Sequence, residues 1–275
     1  METLSPWLEA IFRWVHVVAG VTWIGLLYFF NWINGNVAKQ LDAETKQKVL
    51  PELLPRTLYF FRWGAAYTWI TGVLLLGLVY YMSDGVGNPF MAQNVNDASQ
   101  AALDNASRAR SANIGIAFGA IVLGGTVVYD LLWKMLQDKK EVALGISFIL
   151  LLGVMSVMDN VMGVESRGLY IHVGALFGTC MAMNVWMRIW PAQRKIITAI
   201  KAGDAPEPGW GALAGLRSKH NTYMSVPLIY IMISQHHPQA QEEGSWMVLA
   251  GLIVVSWAIV FWIYKKAAKP EVAAY

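Results

Sequence analysis

Seven apolar runs dominate the chain, at about 7–33, 59–82, 112–133, 142–163, 168–190, 217–236 and 245–264. Each has the roughly 20 residues that an α-helix needs to cross a bilayer. In hydrocarbon every backbone N–H and C=O must be satisfied within its own segment, so runs of this length fold as helices. The composition agrees: 56% of the 275 residues are hydrophobic and 14% are charged, against about 25% charged in soluble domains. A disordered chain, a nucleic-acid-binding domain and an ordinary water-soluble globule are excluded, and no nucleic-acid partner is expected. The reading is all-α: one polytopic membrane domain over residues 1–275, a bundle of seven transmembrane helices in the lipid bilayer.

Basic residues fall in alternate connections. The first holds Lys39, Lys46, Lys48, Arg56 and Arg62, and the third Lys134, Lys139 and Lys140. The fifth region holds Arg188, Arg194, Lys195, Lys201, Arg217 and Lys219, and the tail Lys265, Lys266 and Lys269. The positive-inside rule then puts the N-terminus outside and the C-terminus in the cytoplasm. Glu2 and Glu9 flank the first run where a signal peptide would carry basic residues, so it reads as a retained span. The connection 84–110 reads as a polar, partly helical segment on the outer face, and PAQRKIITAIKAG as a cytoplasmic amphipathic stretch.

A lone cysteine, Cys180, permits no internal disulfide, CxxC pair or CxxCH haem attachment. The five histidines are His16, His172, His220, His236 and His237, all within or at the ends of the apolar runs. An ionisable side chain at membrane depth marks a functional site by default. At 1.5 Å per residue, His16 lies roughly 13 Å and His172 roughly 7 Å below the outer surface. His236 and His237 end the sixth run at that surface, and His220 begins it on the inner side. Plain helix–helix hydrogen bonding accounts for any one of these histidines. Several together match the axial ligands of a haem iron, so His16, His172, His220 and His236 are candidate cofactor ligands, with His16 and His172 the expected pair at the iron. The expected cofactor is haem b, in one or two copies. Arg13 and Arg167 sit beside two of these histidines, suited to an anionic substrate or to haem propionates. Asp159, with Asn160 and Glu165, ends the fourth run where a proton acceptor is useful.

Several segments resemble the membrane domain of the bacterial cytochrome-linked urate oxidases, the PuuD-type urate hydroxylases. These are RGLYIHVGALFGTCMAMNV, WPAQRKIITAIKAGDAPEPGWG and RSKHNTYMSVPLIYIMISQHHP, with weaker matches in FRWVHVVAGVTWIG, FFRWGAAYTWITG and VVYDLLW. The resemblance implies a helical domain of the bacterial inner membrane that oxidises urate to 5-hydroxyisourate. It implies a c-type cytochrome as electron acceptor, here a separate protein docking at the outer face. The family's histidines correspond to His16, His172, His220 and His236. The chain departs from the pattern at Gly64, where an acidic residue is expected after Trp63. The first span also resembles the haem-binding HemJ-type and CopD-like proteins, through the pattern from His16 to Gly25.

The leading expectation is thus a membrane-embedded haem oxidoreductase in which Arg13 or Arg167 orients the substrate and Asp159 takes a proton. The alternative is a non-catalytic haem-carrying subunit of a larger respiratory or dehydrogenase complex. A cofactor-free receptor or transporter is the third reading, and the last span lacks a mid-membrane lysine for retinal.

Overall fold

The computed structural model describes residues 5–81, 100–162, 164, 166–234 and 245–269, and within 100–114 the backbone alone. Among these residues the regular secondary structure is all helix, joined by short turns. The helices are α1 (Ser5–Tyr28), α2 (Gly35–Gln40), α3 (Ala43–Leu76), α4 (Gln100–Met135), α5 (Lys140–Ser156), α6 (Ser166–Met183), α7 (Trp190–Ala202), α8 (Pro208–Ser234) and α9 (Ser245–Ala267). Four π-helical stretches interrupt or extend them: Phe29–Asn34, Gly77–Tyr81, Val157–Val161 and Asn184–Ile189. A π turn widens the helix by a residue and rotates the next turn about the axis, and such turns concentrate at functional positions.

Six helical rods are long and apolar enough to cross a membrane: Pro6–Gln40, Ala43–Tyr81, Gly115–Met135, Lys140–Val161, Ser166–Ala202 and Trp246–Ala267. Their outward faces carry Trp7, Val21, Ile116, Ile149, Met247 and Trp262, all exposed. Apolar surface on this scale needs a lipid rather than an aqueous solvent. The first connection is shorter than the sequence suggests. Helix continues through Phe29–Asn34 and α2 and resumes at Ala43, so only Leu41 and Asp42 separate the first two rods. The charged stretch before residue 59 is a helical extension, not a loop. The run expected at 217–236 lies in α8 as far as Ser234, where the described residues stop; at 27 residues α8 would reach about 40 Å but does not match the other six in length and hydropathy together.

Asp42 starts α3. Thr45 donates its N–H to Asp42 Oδ1 at 2.9 Å and its hydroxyl to Oδ2 at 2.7 Å, satisfying a helix-start donor. These bonds hold the Asp42 carboxyl below its usual range. Because the shift is downward, its contribution is present above the ordinary carboxylate value and is lost as pH falls through the depressed one. Asp42→Ala is therefore expected to speed amide exchange at Thr45 at neutral pH, while wild type shows the same loosening only on acidification.

The chain divides into two compact units: Met1–Ala10, Gly72–Cys180 and Leu228–Ile253 in the first, and Ile11–Thr71, Met181–Pro227 and Val254–Tyr275 in the second. The divisions fall within helices rather than at connections. Ser166–Ala202 is the most buried rod: 78% of its most apolar stretch is buried, against 11% to 28% for the other five. Small residues allow this. In the first unit a Cβ on Gly174 would sit 2.9 Å from Ile231 Cγ2 and 2.8 Å from Met232 Cε, so α6 and α8 touch where only glycine fits. Thr126 and Cys180 meet at 3.5 Å, and Trp133 Nε1 donates to Ser147 Oγ at 3.1 Å.

The second unit explains why α8 is less apolar than its neighbours. Its polar residues Arg217, Asn221, Thr222 and Ser225 are all buried. Asn184 Nδ2 donates to Asn221 Oδ1 at 2.8 Å, and Asn221 Nδ2 donates to the Met181 carbonyl at 3.0 Å. Asn31 Nδ2 donates to Ser218 Oγ at 2.7 Å, and Tyr264 donates to Asn31 Oδ1 at 3.0 Å. Ser225 spends its hydroxyl proton on the Thr222 carbonyl, so Tyr28 donates to Ser225 at 3.0 Å. Buried amides and hydroxyls paired in this way fix helix register, because any slip leaves donors unsatisfied in a low-dielectric interior.

Candidate functional site

Two histidines have defined surroundings, one in each unit. His172 stands on α6 in the first unit and is 1% exposed. Its Nδ1 lies 2.6 Å from the Gly168 carbonyl oxygen, one helical turn back. A carbonyl only accepts, so Nδ1 carries the hydrogen and Nε2 of the neutral ring carries the lone pair. That lone pair is taken by Tyr81, whose hydroxyl lies 2.5 Å from Nε2. Phe118 of α4 stacks on the imidazole, with centroids 3.7 Å apart and planes 18° from parallel. Tyr80 meets the ring edge-on at 6.1 Å. Both tyrosines come from the π-helical Gly77–Tyr81, and the Tyr81 ring rests against Gly115, where a Cβ would lie 3.0 Å from its Cε1. The Arg167 guanidinium stands 5.7 Å from the Tyr80 ring centroid, placing a cation beside the cluster.

His16 stands on α1 in the second unit, half-buried, with Nδ1 3.2 Å from Thr71 Oγ1. Thr71 donates its one hydroxyl hydrogen to the Tyr67 carbonyl at 2.6 Å. It can therefore only accept from His16, which makes Nδ1 the protonated nitrogen and leaves the lone pair on Nε2. The α1–α3 pairing that presents His16 is close: Gly20 faces Thr68, and a Cβ on Gly64 would lie 3.2 Å from the Ala19 carbonyl oxygen and 3.2 Å from Trp23 N. Beside Gly64 a groove of about 430 Å³ opens between Trp14, Val18, Tyr59, Trp63 and Tyr67.

The two imidazoles differ as ligands for a haem iron. An iron-binding histidine typically anchors one ring nitrogen to a protein acceptor and offers the other. His16 has such an anchor, Nδ1 on Thr71, and its ring is also hydrogen-bonded to the Thr68 backbone. His172 has the same anchor, but Tyr81 occupies Nε2, and iron would reach it only with Tyr81 displaced. His220 is half-buried on α8 in the second unit. His236, His237 and Glu165 lie outside the described residues, as does much of the outer connection expected at 84–110. Among the described residues no three His, Cys, Asp or Glu side chains gather in metal-binding distance.

Of the remaining candidates, Arg13 is exposed on α1, and Asp159 is half-buried in the π-helical Val157–Val161. Arg167 joins the Tyr80–Tyr81–His172 cluster. Sequence reasoning missed Tyr80, Tyr81 and Phe118. Aromatic residues at the end of a span read as interfacial anchors, and the available signal was the adjacency of a tyrosine pair to a glycine-containing polar stretch of sequence.

No curated protein and no solved structure shows significant similarity to the chain. The model of the family described as urate oxidase N-terminal matches residues 2–48 and 40–275. A match over the whole length, on a scaffold of apolar helices, places this chain in the urate oxidase N-terminal family.

Proposed function

We propose that this chain is the membrane component of a urate-oxidising enzyme that passes electrons to a separate c-type cytochrome. The observation that carries this reading is the family match from residue 2 to residue 275. The proposed setting is the bacterial inner membrane, with seven spans once α8 is included, the N-terminus outside and the C-terminus in the cytoplasm. The proposed cofactor is haem b, in one or two copies, with His16 as the ligand whose geometry suits it. When bound, haem supplies a one-electron carrier between a two-electron substrate and a one-electron acceptor.

The chain's own residues then have defined tasks. Urate is an anion near neutral pH, and Arg167 supplies a positive charge at the buried aromatic cluster, as Arg13 does on α1. Asp159, half-buried at the end of its rod, is a carboxylate for one of the released protons. His220 and His236 stand as further ligands should a second haem be present.

The test is turnover. Purified haem-loaded protein with urate and ferricytochrome c is expected to reduce two cytochromes per urate and to form 5-hydroxyisourate. Failure of a haem-loaded preparation to do so would overturn the reading. The packing at Gly64 favours one alternative, a haem-carrying relay subunit without its own substrate, because the acidic side chain of the family pattern has no room between Ala19 and Trp23. That alternative gives an optical spectrum responsive to reductant but no urate turnover.

A further inference from the structure

We propose that the groove between α1 and α3 binds an anionic phospholipid, with the lipid phosphate on Arg62 and one acyl chain lying along the groove. The proposal is independent of urate and haem and needs only that these rods lie in a bilayer. Arg62 stands three residues into the apolar run that begins at about 59, roughly 5 Å along the helix. That places it near the boundary between headgroups and hydrocarbon. An arginine keeps its charge at any working pH, and at such a depth the charge needs a partner. On the same helix Lys48 is paired with Glu44 and Arg56 with Glu52. Arg62 has aromatic faces instead: its Cζ lies 4.1 Å from the ring centroid of Trp190, 5.7 Å from Tyr59 and 5.9 Å from Trp186. Among the described residues no carboxylate pairs with it, and its Nε is buried without an acceptor. Aromatic rings attract a cation but carry no net charge to neutralise it. The side chain is half-buried, so an anionic oxygen from outside the chain can reach it, and the planar guanidinium matches a phosphate.

The groove starts where this charge sits, and all of its parts belong to the second unit. Tyr59, one of the rings around the guanidinium, lines the groove, as does Trp63, which meets Trp186 edge-on at 5.6 Å. The wall continues to Tyr67, eight residues or about 12 Å along α3 from Tyr59. This direction leads away from the charged stretch 44–56 and into the apolar run, as an acyl chain leads away from its phosphate. Trp14 and Val18 line the groove from α1. Trp14, Val18, Tyr59 and Tyr67 are exposed, so the volume of about 430 Å³ opens toward lipid and not into the protein interior. The arginine also selects the headgroup. A zwitterionic lipid would bring a second cation to a site that already holds an uncompensated one, whereas an anionic lipid brings only the missing charge. The rings around Arg62 hold the guanidinium in place, which distinguishes this site from an arginine that snorkels among whatever headgroups surround it.

The test is lipid binding by the full-length protein, purified in detergent and stripped of carried-over lipid. It is titrated with phosphatidylglycerol and with phosphatidylcholine of the same acyl chains, and bound lipid is counted by native mass spectrometry. One phosphatidylglycerol is expected to bind about 10-fold more tightly than phosphatidylcholine, and Arg62→Gln should abolish that difference, as expected for one charge-assisted contact. Val18→Trp fills the groove from an exposed position and leaves Arg62 in place. It should weaken phosphatidylglycerol as well, and it serves if Arg62→Gln does not fold. Equal binding of the two lipids by wild type, or a preference undiminished in Arg62→Gln, overturns the proposal. So does phosphatidylglycerol binding unchanged in Val18→Trp, which would leave the groove without a role. Glycerol phosphate competing as well as the lipid itself would make Arg62 a site for free anions and overturn it too.

Discussion

Replacing Gly64 by glutamate is expected to prevent α1 and α3 from pairing and to leave little folded protein in detergent. A Cβ at this position would meet the Ala19 carbonyl oxygen at 3.2 Å, Trp23 N at 3.2 Å and Trp23 Cβ at 3.3 Å. Two of those atoms are backbone, so relief requires the helices to separate rather than a rotamer to change. Trp23 is 1% exposed and has no space into which to retreat. Overpacking of this kind costs about 1–3 kcal/mol, and a carboxylate forced between the helices adds a desolvation penalty of several kcal/mol. Gly64→Ala carries the steric part alone and should lower the thermal midpoint without abolishing folding. Both are read by the recovery of monodisperse protein and its unfolding midpoint. A folded, active Gly64→Glu would mean that the acidic residue of the family pattern has a place here after all.

The legibility of each feature in the sequence depends on the period of its signal. Apolar runs of membrane length gave the helices, because in hydrocarbon that length admits almost nothing else. Their ends were less legible. Lys46, Lys48, Glu52 and Arg56 read as a polar connection, yet they lie on a helix, where Lys48 pairs with Glu44 and Arg56 with Glu52 one turn apart. Such i,i+4 pairs stabilise a helix that has left the apolar zone. The polar stripe Arg217–Asn221–Ser225 lowered the hydropathy of α8 for a reason visible only in three dimensions: Asn184 and Tyr28 bond it, and Asn31 bonds Ser218 beside it. Histidine chemistry was legible as a set of residues but not as a geometry. Whether an imidazole presents a lone pair depends on what its other nitrogen meets, and the partners Thr71 and Tyr81 lie 55 and 91 residues away in the chain. The tyrosine was obscured further by the π turn at Gly77–Tyr81, which takes it off the 3.6-residue register on which a helical face is read.

Removing the His16 imidazole is expected to have the largest effect on cofactor content. His16 keeps its Nε2 lone pair clear of the Thr71 bond, so His16→Ala should yield protein that has lost the b-type pyridine haemochrome and Soret band while retaining its helical circular dichroism. Thr71→Val separates ligation from mere packing. It keeps the branched side chain but removes the oxygen that accepts the Nδ1 hydrogen, leaving the Thr68 backbone bond to hold the ring. Loss of such a supporting contact weakens metal binding by about 10–100-fold, so Thr71→Val should lose haem on dilution and recover it with excess haem, whereas His16→Ala should not. His172→Ala makes the opposite prediction, full haem content, because Tyr81 rather than iron holds that nitrogen. Haem retained by His16→Ala would remove His16 from the iron. Haem lost from His172→Ala would show that Tyr81 gives up Nε2 in the loaded protein, transferring the ligand role from the second unit's histidine to the first's.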